Sequence, residues 1–441
     1  MKILHYALGY PPFRTGGLTK YCVDLMLSQA EQGHEVAMLW PGRMSLLNKK
    51  IQIKKKINYE VLKSFELINP LPVALDEGIK DVDAFIRKGD QKYYRNFLKS
   101  IKPDVIHIHT LMGIHREFLL AAKELSIKTV FTTHDYYGLC PKVTLFRDGN
   151  TCDDDNECKY CVKCNRNALS IKKIIFLQSP LYRGFKDSFI VKKLRSHHRK
   201  TFFSESEIVD QVQFDEDAGF RAREYRRLRQ YYISMYKLIE IIHFNSTLSH
   251  KIYTRYFNPL NYKVCSISHR GISDNRKEKA FSGEKLRITF LAPTKPFKGF
   301  RILKEALDEL WQENYKDFIL NIYGPTSEIR PYMKIQDGYQ YSELEDIFDR
   351  TDLLVAPSVW YETFGFTVLE ALSYGVPVLV SENVGAKDVL DKCGAGICIQ
   401  LSKESLKKSV LSLMNKDLLR EINLKICKSE NIFNPDWAQL Y

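Results

Sequence analysis

The sequence predicts an α/β protein of two facing Rossmann-like domains. Each is a parallel sheet covered by helices, with a cleft between them and a helical, cysteine-containing insertion in the first domain. Three observations carry this expectation. At 441 residues the chain is too long for one ordinary core. Short β-branched or large apolar runs alternate with helix-length segments in both halves. A polar stretch at 273–284 separates the halves and reads as a hinge.

The elements follow in order. Buried strands are expected at 3–8, 36–39, 105–109 and 130–133, then at 241–244 and 264–267 beyond a segment that breaks the rhythm. The second half continues at 288–291, 318–323, 353–356, 376–380 and 396–399. These runs are apolar without alternation, as strands covered on both faces require. The domains are therefore drawn at 1–272 and 285–425, with the insertion at about 140–235. Residues 426–441 are expected to pack back on the first domain.

Composition is that of a globular protein: 44% hydrophobic and 27% charged residues. The opening apolar run ends at Gly9-Tyr10-Pro11-Pro12, too short for a signal-peptide core, and no later run approaches the ~18 apolar residues of a membrane span. A cytosolic protein is expected. Lysine and arginine exceed acidic residues by 13, much of it at 49–56 and 183–229, where aromatic residues are interleaved. Such a field is either a solvated helical face or a dock on an anionic membrane surface, where a lipid-linked acceptor would lie.

The densest chemical signal is Glu362-Thr363-Phe364-Gly365-Phe366 leading to Glu370, directly after a predicted strand. Gly365 allows a tight turn, and 366–374 reads as a helix stopped by Gly375. A helix start offers free N–H groups to a diphosphate. The carboxylates of Glu362 and Glu370 can accept hydrogen bonds from sugar hydroxyls on either side of it. Either acid alone would read as an ordinary helix residue.

This segment resembles the signature of retaining, two-domain glycosyltransferases of the GT-B class known as family 4, which carry two glutamates separated by seven residues. The likeness extends through Gly16-Gly17, Pro103-Asp104-Val105-Ile106-His107-Ile108-His109, Thr133-His134-Asp135, Phe297-Lys298-Gly299 and Tyr323-Gly324. It implies a GT-B fold and transfer of a sugar from a nucleotide diphosphate donor to a glycan or lipid-linked acceptor, as in bacterial surface polysaccharide assembly. By resemblance, Glu362 binds donor-sugar hydroxyls, Glu370 the ribose, and Lys298 the diphosphate. Gly16, Gly17, Gly324, Phe364 and Gly365 shape the donor site, and His134 lies near the anomeric carbon. Fixed donors and a cation can stabilise a leaving diphosphate without a divalent ion, so no cofactor is expected for catalysis. The family's usual Gly-Arg after the first strand of the second domain is missing. Lys295 or the Thr294 hydroxyl is the expected substitute, although a point charge does not copy a bidentate fork.

Cys140, Cys152, Cys158, Cys161 and Cys164 cluster between the His134 loop and the basic stretch. Overlapping Cys-x-x-Cys pairs could hold a structural zinc, the alternative being reduced loop thiols. A nucleic-acid-binding zinc protein is disfavoured, because the histidine pair of a finger and an aromatic RNA-binding strand motif are both missing. A sugar-nucleotide epimerase or hydrolase on the same scaffold, and a catalytically inactive partner subunit, stay open.

Overall fold

The first apolar run becomes a central strand of the N-terminal sheet. In the computed structural model, which describes all residues except 12–13, 15, 46–48, 180–181, 183–217, 337, 431–432 and 434–439, the strands of the first half are β1 (Lys2–Tyr6), β2 (Glu35–Pro41), β3 (Gln52–Lys55), β4 (Lys63–Ile68), β5 (Val105–Ile108) and β6 (Lys128–Thr132). A small hairpin, β7 (Phe146–Arg147) and β8 (Asn150–Thr151), precedes β9 (Ile241–Phe244) and β10 (Tyr262–Val264). The sheet order is β10-β9-β6-β5-β1-β2-β4-β3, parallel except for β3. The second half holds β11 (Leu286–Phe290), β12 (Phe318–Tyr323), β13 (Met333–Gln336), β14 (Leu353–Ala356), β15 (Val378–Ser381) and β16 (Ile397–Ile399). These form a fully parallel sheet, β13-β12-β11-β14-β15-β16.

In each sheet the chain lays strands on one side of the first strand and later crosses to the other. The reversal lies between β1 and β5 in the first sheet and between β11 and β14 in the second. Ligands of open α/β sheets bind outside the carboxyl ends at such reversals. The loops there carry Gly16, Gly17 and His109 in one domain, and Lys298 and Glu362 in the other.

The structure corrects several expected elements. The strand expected at 264–267 lies at 262–264: it is an edge strand with exposed side chains, while the apolar Ile267 is buried outside it. β3 and β13 are exposed edges, where charge replaces apolar pattern. β4 hides its period because Glu66 is buried in it, where it accepts from the Arg43 N–H at 3.0 Å and pairs with Lys56 at 3.1 Å.

The expected hinge is irregular but anchored on the second domain. Arg276 donates to the carbonyls of Ile426 and Ser429, and Lys279 donates to that of Thr351. In the insertion, the described residues form the β7–β8 hairpin and helices Lys159–Cys164, Ile171–Leu177 and Ala218–Tyr236. The basic run from Arg183 to Lys200 lies outside the described residues. On the last helix Arg226, Arg227 and Arg229 are engaged by Glu157, Asp83 and Asp155. Tyr441 reaches back to Gln29 and His107 of the first domain.

Candidate active site

The second-domain half of the site is two loops brought side by side by neighbouring strands. Leaving β11, the chain makes a single 3-10 turn at Pro296–Lys298 and passes through Gly299 at φ +77°. A Cβ on Gly299 would lie 1.8 Å from the Pro357 carbonyl oxygen, so only glycine lets this loop meet the one that follows β14. The consequence is an ion pair: Lys298 Nζ lies 2.6 Å from Glu362 Oε1, and Ser358 Oγ donates to Glu362 Oε2 at 2.5 Å. Burial alone would raise the Glu362 carboxyl. The Lys298 charge and these hydrogen bonds outweigh it and hold the group below its ordinary value.

Gly365, at φ +102°, turns the chain into helix Phe366–Ser373 with its Cβ position 3.0 Å from Val384. Phe364 is buried at the turn, its ring 5.3 Å from that of Phe366. The helix ends one residue short of the expected Tyr374 and carries Glu370 inward, 2% exposed. Glu370 Oε1 lies 3.2 Å from His269 Nε2. Gly271 N–H points at His269 Nδ1, 3.1 Å away, so the imidazole proton sits on Nε2 and is donated to Glu370. Glu370 Oε2 is buried without a hydrogen bond. Beside it, burial and the Glu370 charge push the Tyr339 and Tyr341 phenols up. An unanswered carboxylate oxygen in the cleft is a site for hydroxyl donors.

The first domain supplies the facing wall. Gly16, at φ +115° with open space around its Cβ position, starts the helix Gly17–Glu31. Gly17 meets Phe366 across the cleft, its Cβ position 3.5 Å from the ring. His134 follows β6. Its carbonyl accepts from Thr363 Oγ1 at 2.9 Å, its Nε2 lies 3.4 Å from His109 Nδ1, and its ring is 4.8 Å from that of Tyr21. Burial, then the His243 charge, pushes its pKa down to about 3, so it is a neutral imidazole. Ser246 Oγ donates to the Thr363 carbonyl at 2.6 Å, and Tyr361 donates to Asp153 at 2.5 Å, so the 361–364 loop is tied to the first domain on both sides.

Not every expected residue converges. Thr294 donates to the Pro325 carbonyl, and Lys295 Nζ lies 2.6 Å from Asp76 in the first domain, so the Lys295 cation spans the cleft. Gly324 sits behind this loop, its N–H on the Gln336 carbonyl and its Cβ position at ordinary distance from Ala292. Among the described residues, no four of the clustered cysteines bring their sulfurs round one point. The trio within 4.8 Å is Asp155, Cys158 and Cys161. Cys140, Cys152 and Cys164 lie at the margin of this group. Arg229 donates to Asp155 and lies 3.9 Å from Cys161 Sγ, so a guanidinium already supplies the positive charge there.

His269, Ser358 and Asp76 were not predicted. His269 lies in the irregular segment after β10, with only its position near the domain border as a signal. Asp76 could be found only by knowing which loop faces Lys295.

Residues 15–150 match the family Glycosyltransferase Family 4, and residues 271–425 match Glycosyl transferases group 1. A phosphatidyl-myo-inositol mannosyltransferase of Propionibacterium freudenreichii is 33% identical over 110 residues, 24% of this chain and 29% of that protein. An uncharacterized 42.6 kDa protein in the cps region of Klebsiella pneumoniae is 30% identical over 308 residues, 68% of this chain and 62% of that one. The matched stretches thus span less than two thirds of either relative. Among solved structures, WaaG, a glycosyltransferase involved in lipopolysaccharide biosynthesis, superposes with a TM-score of 0.55 at 13% identity, covering 98% of this chain and 96% of that one. Anabaena Alr3699/HepE in complex with UDP and glucose gives 0.54 at 10% identity, covering 97% and 94%. At these identities the likeness is one of fold.

Proposed function

Since the chain belongs to the glycosyltransferases of family 4 and group 1, with their GT-B fold, we propose that it moves a sugar from a nucleotide diphosphate donor to a hydroxyl of a glycan or lipid-linked acceptor, with retention at the anomeric carbon. The observation that carries this reading is the pairing of Lys298 with Glu362 beside a Glu370 whose Oε2 is buried and unanswered. The donor's ribose hydroxyls donate to Glu370 Oε2. Lys298 meets the diphosphate, where charge grows as the glycosyl–phosphate bond breaks. Glu362, kept ionised by its partners, accepts from the sugar's hydroxyls. The acceptor enters beside Gly17 and His134 and attacks from the face the diphosphate leaves, the departing phosphate oxygen taking its proton. The first domain's ties to the 361–364 loop exclude water and align the two reactants.

A surface-polysaccharide role is supported by the Klebsiella relative in a cps region, and a lipid-linked acceptor by the mannosyltransferase relative. Docking on an anionic membrane surface is supported by the chain's net charge of +13. The cysteine group, with Arg229 as its cation, braces the loop after His134.

A thermal-shift screen of nucleotide sugars finds the donor, since a true ligand stabilises the fold by mass action. Nucleotide release with and without acceptor then separates transfer from hydrolysis. Glu362→Ala is expected to cut turnover sharply and Glu370→Ala chiefly to weaken donor binding. Normal rates and affinity in both variants would refute the assignment.

A further inference from the structure

The reaction as drawn makes no use of His5, His107 or His243, yet these side chains are fully buried and His109 nearly so, on or just after strands β1, β5 and β9, with β6 between the last two. They belong to one file of hydrogen bonds whose direction is fixed from one end. His243 Nε2 lies 2.9 Å from the Cys265 carbonyl oxygen. A carbonyl only accepts, so Nε2 carries the proton and Nδ1 is bare; the Cys265 Sγ, 3.0 Å from the same Nε2, shares that proton as a weak acceptor. Thr132 Oγ1, 2.9 Å from that Nδ1, must donate to it. The hydroxyl has one proton, so at 2.7 Å it accepts from His107 Nε2–H. His107 Nδ1 is then bare and accepts from the Tyr441 hydroxyl at 2.7 Å.

With its own proton committed, Tyr441 accepts from the Gln29 amide at 2.7 Å, which turns Gln29 Oε1 toward His5 Nε2 at 2.8 Å. His5 therefore holds its proton on Nε2, and its Nδ1 accepts from His109 Nε2–H at 3.0 Å. The last link, from His134 Nε2–H to His109 Nδ1, is 3.4 Å. One tautomer at every ring satisfies every link. The file holds no carboxylate, and burial pushes His5 and His243 down to about 4 and His107 and His109 well below their ordinary value. All the rings are neutral.

We propose that this file locks His134 as the Nε2–H tautomer, so that its Nδ1, which has no hydrogen-bond partner among the described residues, faces the ligand as a pure acceptor. Gln29, Thr132, His243 and Tyr441 are then positioning residues that act on the ligand only through His134. A bare imidazole nitrogen takes a hydroxyl and repels a carboxylate or phosphate oxygen. The position of the sugar that meets His134 therefore carries a free hydroxyl, and a uronate at that position is rejected. The sugar rests on the function proposed above; the tautomer does not.

The test is two-bond ¹H–¹⁵N correlation on the full chain labelled at histidine, each ring assigned by single substitution. The expected result is a protonated Nε2 and a bare Nδ1 on His5, His107, His109, His134 and His243 at neutral pH. Tyr441→Phe removes the middle link, so His109 and His134 are expected to lose their single tautomer and shift toward averaged values, while His250, outside the file, does not move. Thr132→Val cuts the file on the other side of His107 and serves if Tyr441→Phe fails to fold. A proton on Nδ1 of His134, unchanged His109 and His134 signals in both variants, or metal-type shifts on His5, His107 and His109, whose ligand atoms lie within 4.8 Å of one another, would each overturn the proposal. If the tautomers are as stated but none of a panel of nucleotide sugars stabilises the protein, the file stands and the donor assignment fails.

Discussion

Replacing Glu370 by glutamine should strengthen the free protein and weaken its hold on a donor. His269 presents its Nε2–H to Glu370 Oε1 because its Nδ1 is taken by the Gly271 N–H. The glutamine must therefore leave its carbonyl oxygen on His269 and turn its NH₂ to where Oε2 was. In the free protein Oε2 is buried without a full hydrogen bond, the Tyr341 phenol standing near the carboxylate, and such a group costs roughly 1–3 kcal/mol, more when charged. Exchanging the charge for a neutral amide recovers about 1 kcal/mol, which raises the melting temperature by about 2–4 °C for a domain of this size. In the complex the same exchange removes a charge-assisted bond from a ribose hydroxyl, about 1.5–3 kcal/mol. That corresponds to roughly a tenfold to 150-fold rise in donor Kd. Differential scanning fluorimetry with and without donor reads both effects. A Glu370→Gln protein that melts lower and binds donor as before would show that the carboxylate serves the fold and not the ligand.

Lys298→Met is expected to lower turnover by about 10²–10³-fold through loss of the diphosphate cation, measured by nucleotide release. It also bares Glu362, whose pKa is held down by Lys298 and Ser358. A carboxyl with a depressed folded pKa stabilises above its unfolded value near 4.3 and loses that contribution as pH falls through the folded pKa. Without Lys298 the folded pKa of Glu362 rises, so the variant should lose less stability than the wild type as pH falls below about 4.3 in acid titration. Gly299→Ala places a Cβ 1.8 Å from the Pro357 carbonyl at φ +77° and should cost at least ~2 kcal/mol in urea unfolding. Gly16→Ala, with open space at its Cβ position but φ +115° and ψ 170°, should cost only the backbone strain, about 1–3 kcal/mol. The buried histidines have folded pKa values below 6.5, near 4 for His5 and His243 and near 3 for His134. The unfolded chain binds more protons over that interval, so stability is full above pH 6.5. It should fall by about 1.4 kcal/mol per unit per histidine down to about pH 4. A flat denaturation midpoint between pH 7 and 4.5 would contradict this.

The two-domain architecture was legible because buried parallel strands write themselves as unbroken apolar runs, and β9, β12 and β14 lie at the predicted positions. What hid was polar by necessity. β4 carries the paired Glu66 in its interior, and the edges β3 and β13 are charged on their exposed faces. The second-domain site was legible from Glu362, Gly365 and Glu370 because a turn residue and two acids at fixed spacing are local features. Its support was not: His269 and Ser358 reach those acids through folding alone. His107 and His109 are visible in the sequence two residues apart, but nothing there shows what they meet. Their partners are His5 of β1, Thr132 of β6, His134 and Tyr441, which are distant in the chain.

A crystal structure of the chain with the nucleotide sugar chosen by thermal shift tests the central claim most directly. The ribose should lie within hydrogen-bonding distance of Glu370 Oε2, a phosphate on Lys298 Nζ, and the sugar between Glu362 and His134. Donor density anywhere else, with the Lys298–Glu362 pair closed and Glu370 Oε2 still unanswered, would contradict it.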